Sequence, residues 1–160
     1  MDRVQADVAE DGVSVPPGAA ADVPALREVV ADAHQQGIDL KIVVIETNPP
    51  IETPLRDIAT EVGAANPGST VLALSPSFAG TYSPVFDRAT LEAGQDLART
   101  GNPVLSSKNF LGELTTPHFP WTAFTIVLVI AVLISAVATR MLQKWGKRSM
   151  STEASSTSID

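Results

Sequence analysis

Leu40-Lys-Ile-Val-Val-Ile45 and Thr70-Val-Leu-Ala-Leu-Ser75 are short, almost unbroken apolar runs, the first of them mainly β-branched. Runs of that length and chemistry predict strands buried on both faces. Between them, Leu55, Ile58, Ala59 and Val62 recur at i, i+3, i+4 and i+7, the stripe of a helix with one buried face. Thr53 suits its N-cap and Pro54 its first position, while Gly63 and Asn66-Pro-Gly68 close it. Strand, helix and strand within about 36 residues make a βαβ unit, so the two strands should be parallel.

Toward the N-terminus, Leu26, Val29, Val30 and Ala33 form a second apolar stripe. They predict a helix over residues 23–36, with Asp22 as N-cap, Pro24 in the first turn and Gly37 as the stop. Residues 2–11 read as a short helix with Val4 and Val8 on one face, ended by Gly12 and followed by a turn at Pro16-Pro17-Gly18. A loosely ordered arm is the alternative, so residues 1–21 are set apart from a domain over 22–116.

Toward the C-terminus, Ser75-Pro-Ser77 is a turn, and residues 78–82 are a short edge strand, as in a hairpin. Ser83 is placed as the cap of a helix over 84–99 whose inward positions are Phe86, Ala89 or Thr90, Ala93 and Leu97. Gly101-Asn-Pro103 breaks that helix. A last one runs to residue 114, with Val104, Leu105, Phe110, Leu111 and Leu114 apolar.

Residues 119–139 contain no charged side chain, and as a helix these 21 residues span roughly 30 Å, the thickness of a bilayer's hydrocarbon core. A buried helix of a soluble domain is the competing reading, but so long a run has no polar face to show water. The predicted membrane helix covers 119–140. Trp121 and Trp145 flank it as interfacial aromatics, and Arg140, Lys144, Lys147 and Arg148 follow as a basic collar facing anionic headgroups. Before the run only Lys108 lies within about 15 residues, so the charge rule puts the C-terminus in the cytoplasm and residues 1–118 outside. The acidic, polar N-terminus is no signal peptide, which keeps a cytoplasmic tail-anchored adaptor as an alternative. Residues 141–160 read as a basic and then Ser/Thr-rich tail, disordered after Ser149.

The chain carries a net charge of −7. Residues 1–118 hold 16 acids and 7 bases, a net of −9, which argues against nucleic-acid binding. The absence of cysteine excludes disulfides, thiolate metal sites and a cysteine nucleophile. His34 and His118 lack the further ligands that zinc needs. No GxSxG, P-loop or GxGxxG occurs, so Ser75-Pro-Ser77 reads as a turn that satisfies its own backbone. The anchor contains no intramembrane acid or base, which disfavours transport.

The βαβ unit does bring residues 46–52 and 75–77 to the same end of adjacent strands, where open α/β sheets receive ligands. Glu46, Asn48, Glu52, Arg56, Asp57, Ser75, Ser77 and Tyr82 are therefore the candidate binding surface. Glu46, Glu52 and Asp57 offer oxygens of the kind calcium takes, the one cofactor considered, although acids at a helix start also simply complement its dipole. No catalytic residue is assigned.

The order of helix, strand, helix, strand, hairpin-like segment and helices resembles a TPM domain, a small α/β module of envelope and lumenal proteins usually followed by a membrane helix. Thr53-Pro-Leu-Arg-Asp-Ile-Ala59, Leu74-Ser-Pro-Ser-Phe-Ala-Gly-Thr-Tyr82 and Gly101-Asn-Pro-Val104 resemble, more narrowly, a family of small single-pass membrane proteins of actinobacteria. The resemblance covers roughly residues 20–145 and implies an extracytoplasmic domain. The narrower family has no assigned activity, and its genes tend to lie near those of NlpC/P60-type peptidoglycan hydrolases. That implies an accessory role in the envelope with a protein partner, assisting a wall enzyme. Some TPM proteins are linked to phosphatase activity or to assembly of membrane complexes. A phosphohydrolase-like or cation-binding enzyme is thus the second alternative, although no phosphatase motif is present. The expected class is α/β: a small TPM-like domain with a short parallel βαβ core and flanking helices, plus one C-terminal transmembrane helix.

Overall fold

A computed structural model describes residues 1–117 and 121–156, with side chains described for residues 1–117 and 124–143. The chain divides into two compact units, Met1–Thr116 and Pro117–Asp160. The first holds four strands, β1 (Val13–Ser14), β2 (Leu40–Val44), β3 (Thr70–Leu74) and β4 (Ala79–Tyr82), in the spatial order β1-β2-β3-β4. β1, β2 and β3 are parallel, and β4 returns antiparallel to β3. The helices of this unit are α1 (Asp2–Asp11), α2 (Val23–Gln35), α3 (Thr53–Ala65), α4 (Arg88–Leu97) and α5 (Pro103–Thr115).

Successive strand residues point to opposite faces of the sheet, and both faces are covered. Leu40, Ile42, Val44, Leu72 and Leu74 pack with Leu26, Val29 and Ala33 of α2, Leu91 of α4, and Phe110, Leu111 and Leu114 of α5. Val43, Val71 and Ala73 pack on the other face with Val8 of α1 and Leu55, Ala59 and Val62 of α3. This three-layer arrangement explains why the strands read as continuous apolar runs rather than alternating ones. At Gly80 the start of α3 lies directly on β4: a Cβ there would fall 2.5 Å from the carbonyl carbon of Leu55.

Several local expectations are corrected. The short helix expected over 2–11 and ended by Gly12 is α1, but the alternative of a loosely ordered arm over 1–21 falls: α1 buries Val8 completely, and β1 pairs with β2 through Val13 and Ser14. A two-residue strand is too short to announce itself in sequence. Asp22 does occupy the N-cap position of α2, but its side chain accepts no capping bond: a 3-10 helix over Pro17–Asp22 runs straight into α2 and leaves Asp22 in helical geometry (φ −84°, ψ −14°). Glu52, not Thr53, occupies the N-cap position of α3, and its carbonyl accepts from the Leu55 amide at 2.9 Å.

Ser83 accepts from the amides of Val85 and Phe86, as a cap would, but the chain only turns there. α4 starts five residues later, capped by the Asp87 carboxylate on the Thr90 amide at 3.0 Å. Its buried face is Thr90, Leu91, Gly94 and Gln95, while Ala93 and Leu97 are exposed. Gly94 admits the Phe110 ring, which a Cβ would meet at 2.7 Å. On α5, Ser106 and Ser107 are buried in place of Leu105, which is exposed. Their hydroxyls are satisfied by Thr100 (2.7 Å) and the Pro103 carbonyl (2.8 Å).

The second unit contains α6 (Trp121–Ser156). Within it Phe124–Gln143 has a mean hydropathy of 2.3 and no buried residue. The hydroxyls of Ser135 and Thr139 donate back to the carbonyls of Ala131 and Ser135, both at 2.8 Å, which removes their need for outside partners. The expected span began earlier, but His118, Phe119 and Pro120 lie outside the described residues, as do the side chains of Trp121, Lys144, Trp145, Lys147 and Arg148. The helix continues past Ser149, where composition suggested disorder; no proline follows Pro120 to stop it.

Candidate functional site

The C-terminal ends of β2 and β3 open into a cleft of about 270 Å³. One wall is the turn and 3-10 helix from Pro16 to Asp22, and the opposite wall is Gly101, Asn102, Pro103 and Ser106 at the start of α5. Val44-Ile45-Glu46 and Leu74-Ser75-Pro76 form its floor. Gly101 adopts φ +79°, a turn only glycine makes readily, and sets α5 against the carbonyl of Pro76, 3.4 Å from where a Cβ would stand. Asn102 then caps α5, its side-chain oxygen accepting from the Leu105 amide at 2.9 Å.

The cleft is lined by two carboxylates, Asp22 and Glu46, and by no basic side chain. Glu46 Oε1 lies close over Gly18, 3.1 Å from the position of a Cβ there. The hydroxyl of Ser75 donates to Asn48 Oδ1 at 2.9 Å and that of Ser106 is joined to Thr100 Oγ1, so both are held in place by neighbours. A ligand here meets negative charge and hydrogen-bond acceptors, and would itself bring donors or positive charge.

The eight candidate residues do not form one surface. Glu46 and Ser75 line the cleft. Asn48 joins the two loops beside it: its Oδ1 also accepts from the Ser77 amide at 2.8 Å, and its Nδ2 donates to Ser77 Oγ at 2.9 Å. Glu52 binds Arg99 at 2.6 Å and lies 3.9 Å from Arg56, tying the start of α3 to the end of α4. Tyr82 departs furthest. β4 is antiparallel, so Tyr82 pairs with Val71 at the opposite end of β3 from Ser75, roughly 13 Å away along the strand. Its ring packs over Gly63 of α3, where no Cβ would fit. Asp57 is exposed on α3. Among the described residues no three His, Asp or Glu side chains gather as a metal-holding group, so Glu46, Glu52 and Asp57 do not converge on a common ion position.

Sequence reasoning missed the far wall of the cleft. In the sequence, Gly101-Asn-Pro103 reads as a helix break with a last helix starting at Asn102 or Pro103, and Asp22 of the other wall reads as a helix cap. The available signal was that a helix start introduced by Gly-Asn-Pro, after two strands of a parallel pair, tends to face the strand ends where ligands collect.

The comparisons agree with the anchor. A family model described as "Membrane protein Rv1476" matches residues 1–155. The protein of that description from Mycobacterium tuberculosis (strain ATCC 25618 / H37Rv) is 56% identical over 149 residues, which is 93% of this chain and 78% of the relative. No solved structure matches the chain. The expectation of an actinobacterial membrane protein, associated with a bilayer through the one candidate spanning helix found among the described residues, near its C-terminus, is met at that level. The chain belongs to the Rv1476 membrane protein family.

Proposed function

We propose that this protein is a non-enzymatic accessory protein of the cell envelope, whose TPM-like domain lies outside the cytoplasm and binds a partner protein in the strand-end cleft. The observation that carries this reading is the cleft's lining: two carboxylates, a capping amide and hydroxyls already engaged, with no histidine, lysine or arginine among them. Phosphoryl chemistry asks for cations facing a phosphate, and none lines this cleft; acid–base chemistry asks for a base bonded to a nucleophile, whereas the Ser75 and Ser106 hydroxyls are engaged by Asn48 and Thr100 rather than by Asp22 or Glu46. A partner's lysine, arginine or backbone amides would complement it. The anchor supplies the rest of the mechanism, because a tether to the bilayer raises the effective concentration of the binding surface toward any partner confined to the same membrane.

Support for the outward orientation comes from four basic residues within ten positions after the apolar run, against one in the fifteen or so before it. Support for the TPM likeness comes from element order, helix–strand–helix–strand–hairpin strand followed by two helices.

The test is a photo-crosslinking residue at Glu46 in the full chain, in intact cells. The expected product is a discrete adduct with an envelope protein, diminished by Asp22→Asn. Adducts with lipid alone, or none, would remove the binding role. A protease added to spheroplasts should cleave residues 1–116; full protection would turn the reading into that of a cytoplasmic adaptor.

A further inference from the structure

A second cavity, of about 140 Å³, lies between β4 and α4 and shares no lining residue with the strand-end cleft. It combines two guanidinium groups, Arg56 from α3 and Arg88 from the start of α4, with the hydroxyl-bearing segment Thr81-Tyr82-Ser83. Leu91, Gln95 and the carboxylate-bearing Glu92 of α4 also line it. Only 4% of Gln95 is exposed, yet only its side-chain oxygen is engaged, accepting from Thr81 Oγ1 at 3.2 Å. Its amide nitrogen has no acceptor among the described residues. No fully buried side-chain polar atom in the described residues lacks a partner, so that nitrogen reaches open space, and Gln95 lines this cavity.

The lining therefore offers donors from α3 and from two positions on α4: a fork from Arg56, a fork from Arg88 and an N–H₂ from Gln95. Guanidinium forks match the oxygens of a phosphate group in bidentate fashion, and the Gln95 side-chain amide adds a neutral donor beside them. The cavity's lining carries two guanidinium groups against the one carboxylate of Glu92. The residues around it belong to a region with a net charge of −9, which repels phosphates, so attraction has to be local. Arg56 is only loosely held, 3.9 Å from a Glu52 whose other oxygen already takes Arg99 at 2.6 Å. Arg88 is paired with Glu92 at 2.6 Å, and Glu92 therefore competes with any anion.

We propose that this cavity binds a phosphate group, free or carried by a lipid headgroup, through Arg56, Arg88 and the side-chain amide of Gln95. The proposal does not depend on the strand-end cleft and goes beyond partner binding.

The test uses the full chain in nanodiscs, with backbone hydrogen exchange over residues 81–95 as readout. The probes are inorganic phosphate added to phosphatidylcholine discs, and discs containing phosphatidic acid. Saturable protection by inorganic phosphate, not reproduced by chloride, is the expected result. Protection by phosphatidic acid alone identifies a lipid headgroup as the source and equally supports the site. Arg56→Gln and Arg88→Gln should each weaken binding roughly tenfold or more. Both side chains are substantially exposed, so these variants should fold. Glu92→Gln should tighten binding severalfold by removing the competitor. No protection by either probe, protection that survives both arginine changes, or weakening in Glu92→Gln would overturn the proposal.

Discussion

Leu72 and Leu133 are the same side chain in two different solvents. Leu72 sits on β3 with no exposed surface, walled in by α2 and α5, whereas Leu133 on α6 is 60% exposed along with its apolar neighbours from Phe124 to Leu142. The domain solves the problem of apolar surface by layering helices on both faces of a sheet. The helix leaves that surface open over its whole span, which is stable only where the surroundings are themselves apolar. The teaching of the pair is that burial within the chain and immersion in a bilayer are alternative answers to one hydrophobic demand.

The two regions should therefore fail differently. The largest effect is expected in the domain core: Phe110→Ala empties a fully buried ring site and should cost about 3–5 kcal/mol, read as a drop in the unfolding midpoint in denaturant, while extraction from membranes still requires detergent. Leu133→Arg should do the reverse. A guanidinium near the middle of the span costs about 3 kcal/mol of insertion, so carbonate-extractable protein should rise while the domain's unfolding midpoint stays put. A core lesion that released the chain from the membrane, or a span lesion that unfolded the domain, would break the comparison.

Finer tests sharpen it within the domain. Gly80→Ala drives a methyl into the backbone of α3 and should cost about 1–3 kcal/mol, visible as a lowered thermal midpoint. Asn48→Ala removes the three hydrogen bonds that clasp the loops beside the cleft. Because water can replace them at this exposed site, the loss should be about 1 kcal/mol, accompanied by faster hydrogen exchange over residues 75–78. Smallest is Arg99→Ala, which frees a half-exposed Glu52 and should cost below about 1 kcal/mol, detectable mainly as a weaker salt dependence of stability.

Much of this was written in the sequence. The runs at 40–45 and 70–75, with the stripe Leu55, Ile58, Ala59, Val62 between them, gave the parallel βαβ unit and its register of burial. Gly101-Asn-Pro103 marks the break after which α5 starts. These signals are local: caps, turns and periodicity act within a few residues, so a linear reading captures them. The apolar span was equally plain, because its environment is specified by composition alone.

What only the tertiary structure decided was the partnership of distant pieces. β1 is two residues long and exists because β2 offers it an edge. The buried face of α4 turned from Ala93 and Leu97 to Gly94 and Gln95 because Phe110, sixteen positions after Gly94, needed the space that a glycine leaves. The candidate residues were separated for a similar reason. One antiparallel strand carried Tyr82 to the far end of the sheet, while Asp22 and Asn102, eighty residues apart, came to face one cleft. Direction of a strand and choice of a neighbour are settled by packing across the whole fold, and no window of sequence contains that information.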